Sequence, residues 1–268
     1  MTAPCFYLDS DVLVAREVVL GGSEGHHAVT VKRLRVGEEV LISNGRGWLG
    51  VGHVTALRGR GSLVIHLHSA LTIAKPSPTI TVAMAVIKGE RLERAIEQLT
   101  EIGVDQALLF AADRAVVRSA GGVGEALLAK LRRRAVEAMK QSRRGWLMQV
   151  DAVPSTVALA AWIGQPQSAG AGDAHATTNP SRAFVLDVDA TDSLPARAAA
   201  SPEFESVPRI VVVIGPEGGL TPTELECLKG AGAGVVRLGD SVMRSGTAAV
   251  AGAVAVSLAA GRWQTDVS

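Results

Sequence analysis

Aromatic residues are scarce in this 268-residue chain: four Phe, four Trp and one Tyr make up about 3% of it, while apolar residues reach 47%. Its cores must therefore be assembled mainly from Ala, Val, Leu and Ile, which suits buried parallel strands and small-residue helices and disfavours a β-sandwich. Cysteine is nearly absent. Cys5 and Cys227 lie far apart and form no CxxC pair, which excludes a disulfide framework or a zinc ribbon and fits a reducing cytoplasm. No uncharged run approaches membrane-spanning length, and the first 20 residues carry Asp9, Asp11, Arg16 and Glu17, unlike a signal peptide. A soluble, cytoplasmic protein is expected. Charge of one sign is not in excess either: the formal net charge is +1, which rules out a protein basic all over but permits local patches able to hold phosphate. His26, His27, His53, His66 and His68 have no carboxylate or cysteine at ligand spacing, so no metal site is expected. Trp48, Trp146, Trp162 and Trp263 are read as packing residues. No internal repeat is present.

Two compact units are predicted from the length. Short strands at Phe6–Leu8, Glu17–Leu20, Glu39–Ser43, Trp48–Leu57 and Leu63–His68, with Asn44-Gly45 as a hairpin turn, predict a small β-barrel. One helix interrupts it, from Ser23 as cap through Leu34, with Val29 and Leu34 on its apolar side. The two prolines of Thr72–Thr79 mark an extended linker, which gives domains 1–72 and 73–268. Beyond it, apolar strands alternate with helices, the signature of α/β architecture. The strands are Ile80–Ile87, Gln106–Phe110, Ala183–Val188, Arg209–Ile214 and Val235–Leu238. The helices are Arg91–Ile102, Glu125–Ser142, one from Pro222, and a small-residue helix over Thr247–Ala260. Gln165–Arg182, rich in small and polar residues without periodicity, reads as a surface insertion.

Chemistry concentrates near the C-terminus. The apolar strand Val211–Ile214 runs into Gly215-Pro216-Glu217-Gly218-Gly219, and a helix starts with Thr221 as cap, Pro222 in the first turn and Glu224 completing a capping box. Such strand-to-helix loops, at the carboxyl end of a sheet, are where α/β proteins hold ligands. A phosphate cradle offers backbone N–H groups and Lys, whereas this loop centres on Glu217. That carboxylate tolerates ribose hydroxyls, an adenine amino group or a sulfonium cation; the GxGxxG and Walker patterns are both absent. The bland reading is a tight turn whose glycines satisfy backbone geometry only. A second junction, Val235–Thr247, leads into the Ala-rich helix and supplies another wall. Within it Arg244 could stabilise an anion, neutralise Glu217, or simply pair with Asp240 on the surface.

The run Gly215–Gly219, then Leu238-Gly239 and Met243-Arg244, with Lys88-Gly89-Glu90-Arg91 and Gln141-Ser142-Arg143-Arg144 upstream and Glu24–His27 and Lys32–Gly37 near the start, resembles the RsmE family. These are 16S ribosomal RNA (uracil-N3) methyltransferases of the SPOUT class. The resemblance covers nearly the whole chain. It implies an N-terminal PUA-like β-barrel plus a C-terminal SPOUT α/β domain with a deep trefoil knot, a homodimer, and S-adenosylmethionine as methyl donor. The cofactor-binding residues it implies are Leu186, Ile214, Gly215, Glu217, Gly218, Gly219, Leu238, Gly239, Val242, Met243, Thr247 and Ala248. Where the family pattern carries an acidic residue, this chain has Gly246 between Ser245 and Thr247.

The activity so implied is transfer of the sulfonium methyl group to N3 of a uridine in 16S ribosomal RNA, with the small ribosomal subunit as partner. N3 is protonated, so the site must favour the anionic base, and Arg244 is the catalytic candidate because a fixed guanidinium acts strongly beside developing negative charge. Lys32, Arg33 and Arg35 on the barrel, and Lys88, Arg91, Arg94, Arg143 and Arg144 on the second domain, are candidates for RNA phosphates, although solvated helix faces explain such cations too. Two competing classes remain: a methyltransferase of this architecture acting on another RNA such as transfer RNA, and an RNA-binding module that has lost catalysis.

Overall fold

The computed structural model describes residues 3–10, 16–59, 61–87, 89–115, 123–165, 181–200, 204 and 207–263. The chain divides into two compact units, residues 1–75 with 136–147, and residues 76–135 with 148–268. A single cut after residue 72 therefore misses a return of the chain to its first unit. Periodicity located the helix over Glu125–Ser142, but it cannot say which core the last turns of that helix bury against.

In the first unit, β1 (Cys5–Tyr7), β2 (Glu17–Leu20), β3 (Glu39–Ser43), β4 (Trp48–Arg58) and β5 (Ser62–Thr72) form one sheet of order β1-β3-β4-β5-β2. β1 runs parallel to β3; the other pairings are antiparallel. Burial alternates along β4, so one face of the sheet carries Phe6, Val40, Ile42, Trp48, Val54, Leu63 and Ile65 into a single core. Bulges at Val51/Gly52 and Val54/Ala56 bend the long β4–β5 pair. The β3–β4 hairpin turns on Asn44, whose Oδ1 accepts from the N–H of Arg46 and of Trp48 at 2.8 and 3.1 Å, and on Gly45 at φ 68°.

The interrupting helix differs from expectation. It runs as α1 (Gly22–His26) and continues as a π-helical turn over His27–Val31, with Gly21 rather than Ser23 at its N-cap and no side-chain cap bond. Packing sets its position instead: a Cβ on Gly25 would stand 2.4 Å from the carbonyl oxygen of Gly61. Residues 136–147 complete this unit. The Gly47 N–H donates to the Gly145 carbonyl at 2.8 Å, Leu147 N–H to Gly45 at 2.9 Å, and the Trp146 indole to the Ile73 carbonyl at 3.0 Å. Lys140, 7% exposed at its side chain, donates to Glu24 at 2.7 Å and Glu137 at 2.8 Å.

The second unit is a six-stranded parallel sheet. Its strands are β6 (Thr79–Ala85), β7 (Gln106–Phe110), β8 (Gln149–Val153), β9 (Arg182–Leu186), β10 (Arg209–Ile214) and β11 (Gly234–Val236), in the order β11-β9-β10-β6-β7-β8. β10 is buried along its whole length, as a central parallel strand must be. The helices are α2 (Glu90–Glu101), α3 (Glu125–Ser142), α4 (Thr156–Gly164), α5 (Leu194–Ala200), α6 (Pro222–Gly230) and α7 (Ser245–Ala259). α2 buries Leu92, Ala95, Ile96 and Leu99, while Glu93 and Glu97 on its other face pair with Lys130 and Arg134 of α3. β8, α4 and α5 carried no readable signal in the sequence: β8 is an edge strand with one buried side chain, and α4 is apolar nearly all round, so neither shows a period. Of the expected surface insertion, residues 166–180 lie outside the described residues. No helix among the described residues is long and apolar enough to cross a membrane.

α7 packs against the sheet at Gly252, where an added Cβ would stand 3.0 Å from Leu186 Cδ1 and from Val212 Cγ1. Just beyond its end, Arg262 is clamped to Asp105 at 2.7 Å and to the Pro78 carbonyl at 2.7 Å. The contact at Gly252 leaves no space for a branched side chain, so Gly252→Val is expected to destabilise the protein by about 1–3 kcal/mol through overpacking. Denaturant unfolding checks this, and an unchanged midpoint would refute the close approach.

Candidate functional site

Because all six strands run the same way, the loops after β9, β10 and β11 emerge together at the carboxyl edge of the sheet and enclose a cleft. Ten residues expected at a cofactor site line it: Leu186, Ile214, Gly215, Glu217, Gly219, Leu238, Gly239, Val242, Met243 and Ala248. Gly218 and Thr247 are not among the lining residues. Gly218 faces Arg114 instead, and Thr247 is exposed on the first turn of α7. Pro216, Ser241 and Ser245 also line it and fall within the two expected loops, 214–219 and 238–248, though not singled out there, whereas sequence reasoning missed Asp187, Val188 and Leu220. Asp187 and Val188 directly follow β9, so the rule that ligands sit beyond strand ends would have found them had it been applied to every strand.

Ser245 carries more weight. It is buried at the start of α7, and its hydroxyl donates to the Gly215 carbonyl at 3.0 Å, which ties the 238–248 wall to the 214–219 wall. The second tie is Glu224, 6% exposed, the predicted capping-box residue. Its Oε1 accepts from the Thr156 hydroxyl at 2.6 Å and the Asp113 N–H at 3.0 Å, and its Oε2 from the Thr221 N–H at 2.8 Å. Burial alone would raise its pKa, but these hydrogen bonds outweigh burial and hold the carboxyl below its ordinary value. The loop between β10 and α6 is therefore anchored at its far end by an ionised group.

The charges at the cleft mouth pair differently from the sequence-based alternatives for Arg244. Glu217 meets Arg91 at 3.7 Å, and Asp240 meets Arg237 at 3.1 Å. Arg244 pairs with neither: it is the N-cap of α7, with φ −63° and ψ 148°, and its side chain is exposed. A cation there opposes the positive end of the helix dipole, so helix stability does not explain its position. What the two together provide is positive charge beside Met243 and Ser245 of the cleft wall.

The other basic candidates separate. Lys32, Arg33 and Arg35 are exposed in the first unit, and Arg143 and Arg144, expected on the second domain, also belong to the first. Lys32 and Arg143 line one polar cleft of that unit with His27, Glu137 and Lys140. Arg91 and Arg94 are on α2, and Lys88 lies outside the described residues. The rings of His53 and His66, and of His53 and His68, approach to 5.6 and 6.1 Å on β4 and β5, yet no group of His, Cys, Asp or Glu among the described residues has a metal-holding arrangement.

Residues 75–257 match the family model of an RNA methyltransferase domain, and residues 20–67 that of an RNA methyltransferase PUA domain. A relative named ribosomal RNA small subunit methyltransferase E, from Mycobacterium tuberculosis, is 35% identical over 268 residues, spanning 100% of this chain and 96% of its own. The chain belongs to the ribosomal RNA small subunit methyltransferase E family. Two solved structures agree in fold. A putative methyltransferase of Legionella pneumophila in complex with S-adenosylmethionine has a TM-score of 0.77 at 20% identity, covering 97% of this chain and 98% of that one. A ribosomal RNA small subunit methyltransferase E of Neisseria gonorrhoeae bound to S-adenosylmethionine has a TM-score of 0.75 at 21% identity, covering 96% and 98%.

Within this methyltransferase E family member, the departure at Gly246 has a structural setting. A Cβ there would meet only Ala95 Cβ, at 3.9 Å, so glycine is not forced by crowding. The anchoring at Glu224 is open to a pH test. Its pKa is lowered on folding, so its contribution is fully present above its unfolded pKa, near 4.5, and disappears as pH falls through the lower folded value. Glu224→Gln is expected to cost about 1–3 kcal/mol at pH 7 and to flatten the acid limb of the stability profile. Urea unfolding between pH 3 and 7 reads both effects, and parallel profiles for the two proteins would contradict this role.

Proposed function

We propose that this chain transfers the methyl group of S-adenosylmethionine to N3 of a uridine in the 16S RNA of the small ribosomal subunit, acting as a homodimer. The observation that carries the reading is the two-walled cleft, joined by the Ser245 hydroxyl, in a chain matched along its full length by a small-subunit methyltransferase. The cleft suits the donor chemically. Leu186, Ile214, Leu238 and Met243 offer apolar walls for an adenine ring, and no Lys or Arg lines it, which disfavours a phosphate-bearing cofactor. Glu217 provides a carboxylate where hydroxyl, amino or sulfonium groups are welcome, and the bare backbone at Gly215 and Gly219 admits close approach.

Bound there, S-adenosylmethionine supplies an electrophilic methyl group. The protein must do the rest: expose the base edge, hold it in line and stabilise the anion left when N3 gives up its proton. Arg244 is assigned the last task, because its guanidinium and the α7 N-terminus put positive charge at the cleft mouth. N3 lies on the pairing edge, so the target nucleotide is unpaired when it enters. Lys32, Arg33, Arg35, Arg143 and Arg144 of the first unit, with Arg91 of the second, are assigned to the RNA backbone.

Labelled-methyl transfer to small subunits from a strain lacking the enzyme, followed by nucleoside analysis, is expected to yield N3-methyluridine. Label confined to transfer RNA, or in another nucleoside, would overturn the reading. Arg244→Ala is expected to lower kcat about 10²–10³-fold with donor affinity by calorimetry nearly unchanged; full turnover in that variant would remove Arg244 from catalysis.

A further inference from the structure

The Glu217–Gly219 loop meets two arginines in different ways. Arg91 faces the Glu217 carboxylate at 3.7 Å, so the two charges there largely cancel. Arg114, in the loop after β7, donates from Nη1 to the Gly218 carbonyl at 3.1 Å. Its side chain lies along the loop because position 218 is glycine: a Cβ there would already touch Arg114 Cβ at 3.4 Å. A carbonyl is neutral and occupies one of the five N–H donors of the guanidinium. No carboxylate among the described residues pairs with Arg114, and its side chain is exposed. The neighbouring cations Arg91 and Arg237 each have a carboxylate.

Arg114 and Ser245 each hold a carbonyl of the same loop. Ser245, next to Arg244, takes the Gly215 carbonyl, while Arg114 takes the Gly218 carbonyl. Among the described residues, two guanidiniums beside this loop, those of Arg114 and Arg244, thus have no carboxylate partner. An exposed hydrogen bond to a carbonyl replaces one to water and stabilises little, so the loop gains little from Arg114. A planar fork fixed at one nitrogen, with four donors left over, suits the oxygens of a phosphodiester.

We infer that Arg114 is an RNA-positioning residue that binds a backbone phosphate beside the target nucleotide and so seats the strand against the loop of the methyl donor. This rests on the proposed function for the nature of the substrate, but its test is separable from it. Salt-dependent binding of a fluorescent oligouridylate is measured for the full-length protein, Arg114→Ala, Arg114→Lys and the control Lys229→Ala, which removes an exposed cation paired to Glu226. Each loss of a phosphate contact on single-stranded RNA makes the log–log salt slope shallower by about 0.7. Arg114→Ala is therefore expected to weaken binding about 5- to 10-fold at low salt and reduce the slope by that amount. Arg114→Lys is expected to keep the slope, and donor affinity by calorimetry to change less than about fivefold in either variant. In methyl transfer to small subunits, KM rises more than kcat falls. An unchanged slope in Arg114→Ala, or a loss of donor affinity matching the loss of RNA binding, would overturn the inference. A normal slope shift in a protein that methylates no small subunits would leave it standing while sinking the substrate reading.

Discussion

At Gly252, α7 approaches β9 and β10 so closely that Leu186 and Val212 would meet an added methyl group at 3.0 Å. Seven residues earlier, about 10 Å along a rigid axis, the same helix begins at the cleft, where Ser245 donates to the Gly215 carbonyl. The two contacts are coupled through the helix. One sets how near the rod lies to the sheet, and the other uses that placement to hold two loops against each other. Leu186 belongs to both, since it packs at Gly252 and also lines the cleft. The geometry of the cleft is thus inherited from the apolar contact at Gly252, which fixes the helix that carries one of its walls.

The electrostatics follow from which charges that scaffold leaves unmatched. Glu224 is buried and ionised, satisfied by donors from three segments, and serves to anchor the loop start of α6. At the mouth, Glu217 and Asp240 are each met by an arginine other than Arg244. Exposed pairs of this kind contribute little to stability. Their consequence is to leave Arg244 without a carboxylate among the described residues, at a helix terminus that already favours anions. Under the proposed chemistry a base turns anionic at that point, which makes the arrangement unfavourable for the resting protein and useful in the transition state.

Sequence patterns reported local matters well. The period-2 strands, the Asn44 turn, the face of α2 and the Thr221–Glu224 capping box are all set by neighbours within a few residues, and all are found in the structure. Glycine loops ending strands marked two walls of the cleft, and ten of the expected residues line it. What escaped was whatever depends on distant partners. Ser245 looks like any serine near a helix start until its acceptor thirty residues away is known. Arg114 follows a strand that carried no motif. β8 and α4 have no period because one is an edge and the other is apolar on most sides.

The return of residues 136–147 to the first unit shows why order along the chain is a poor guide to function here. Lys140 has its ammonium among Glu24 and Glu137 and almost no exposure, so the end of α3 is committed to the first unit by a buried charge that would be costly to unpair. Burial lowers the pKa of that ammonium, but the two carboxylates more than offset it and raise it overall. Lys140 therefore stays charged and its pairing persists at neutral pH. Gln141–Arg144 follow directly, so Arg143 comes to line the same polar cleft as Lys32, more than a hundred residues earlier. Arg143 and Arg144, expected on the second domain, thus join Lys32, Arg33 and Arg35 on the first unit, while Arg91 and Arg94 stay on the second, from which the cleft is entirely built. In the proposed reaction most of the cations assigned to the RNA backbone lie on the first unit and the methyl donor on the second, where Arg91, Arg114 and Arg244 are the basic residues at the donor loops.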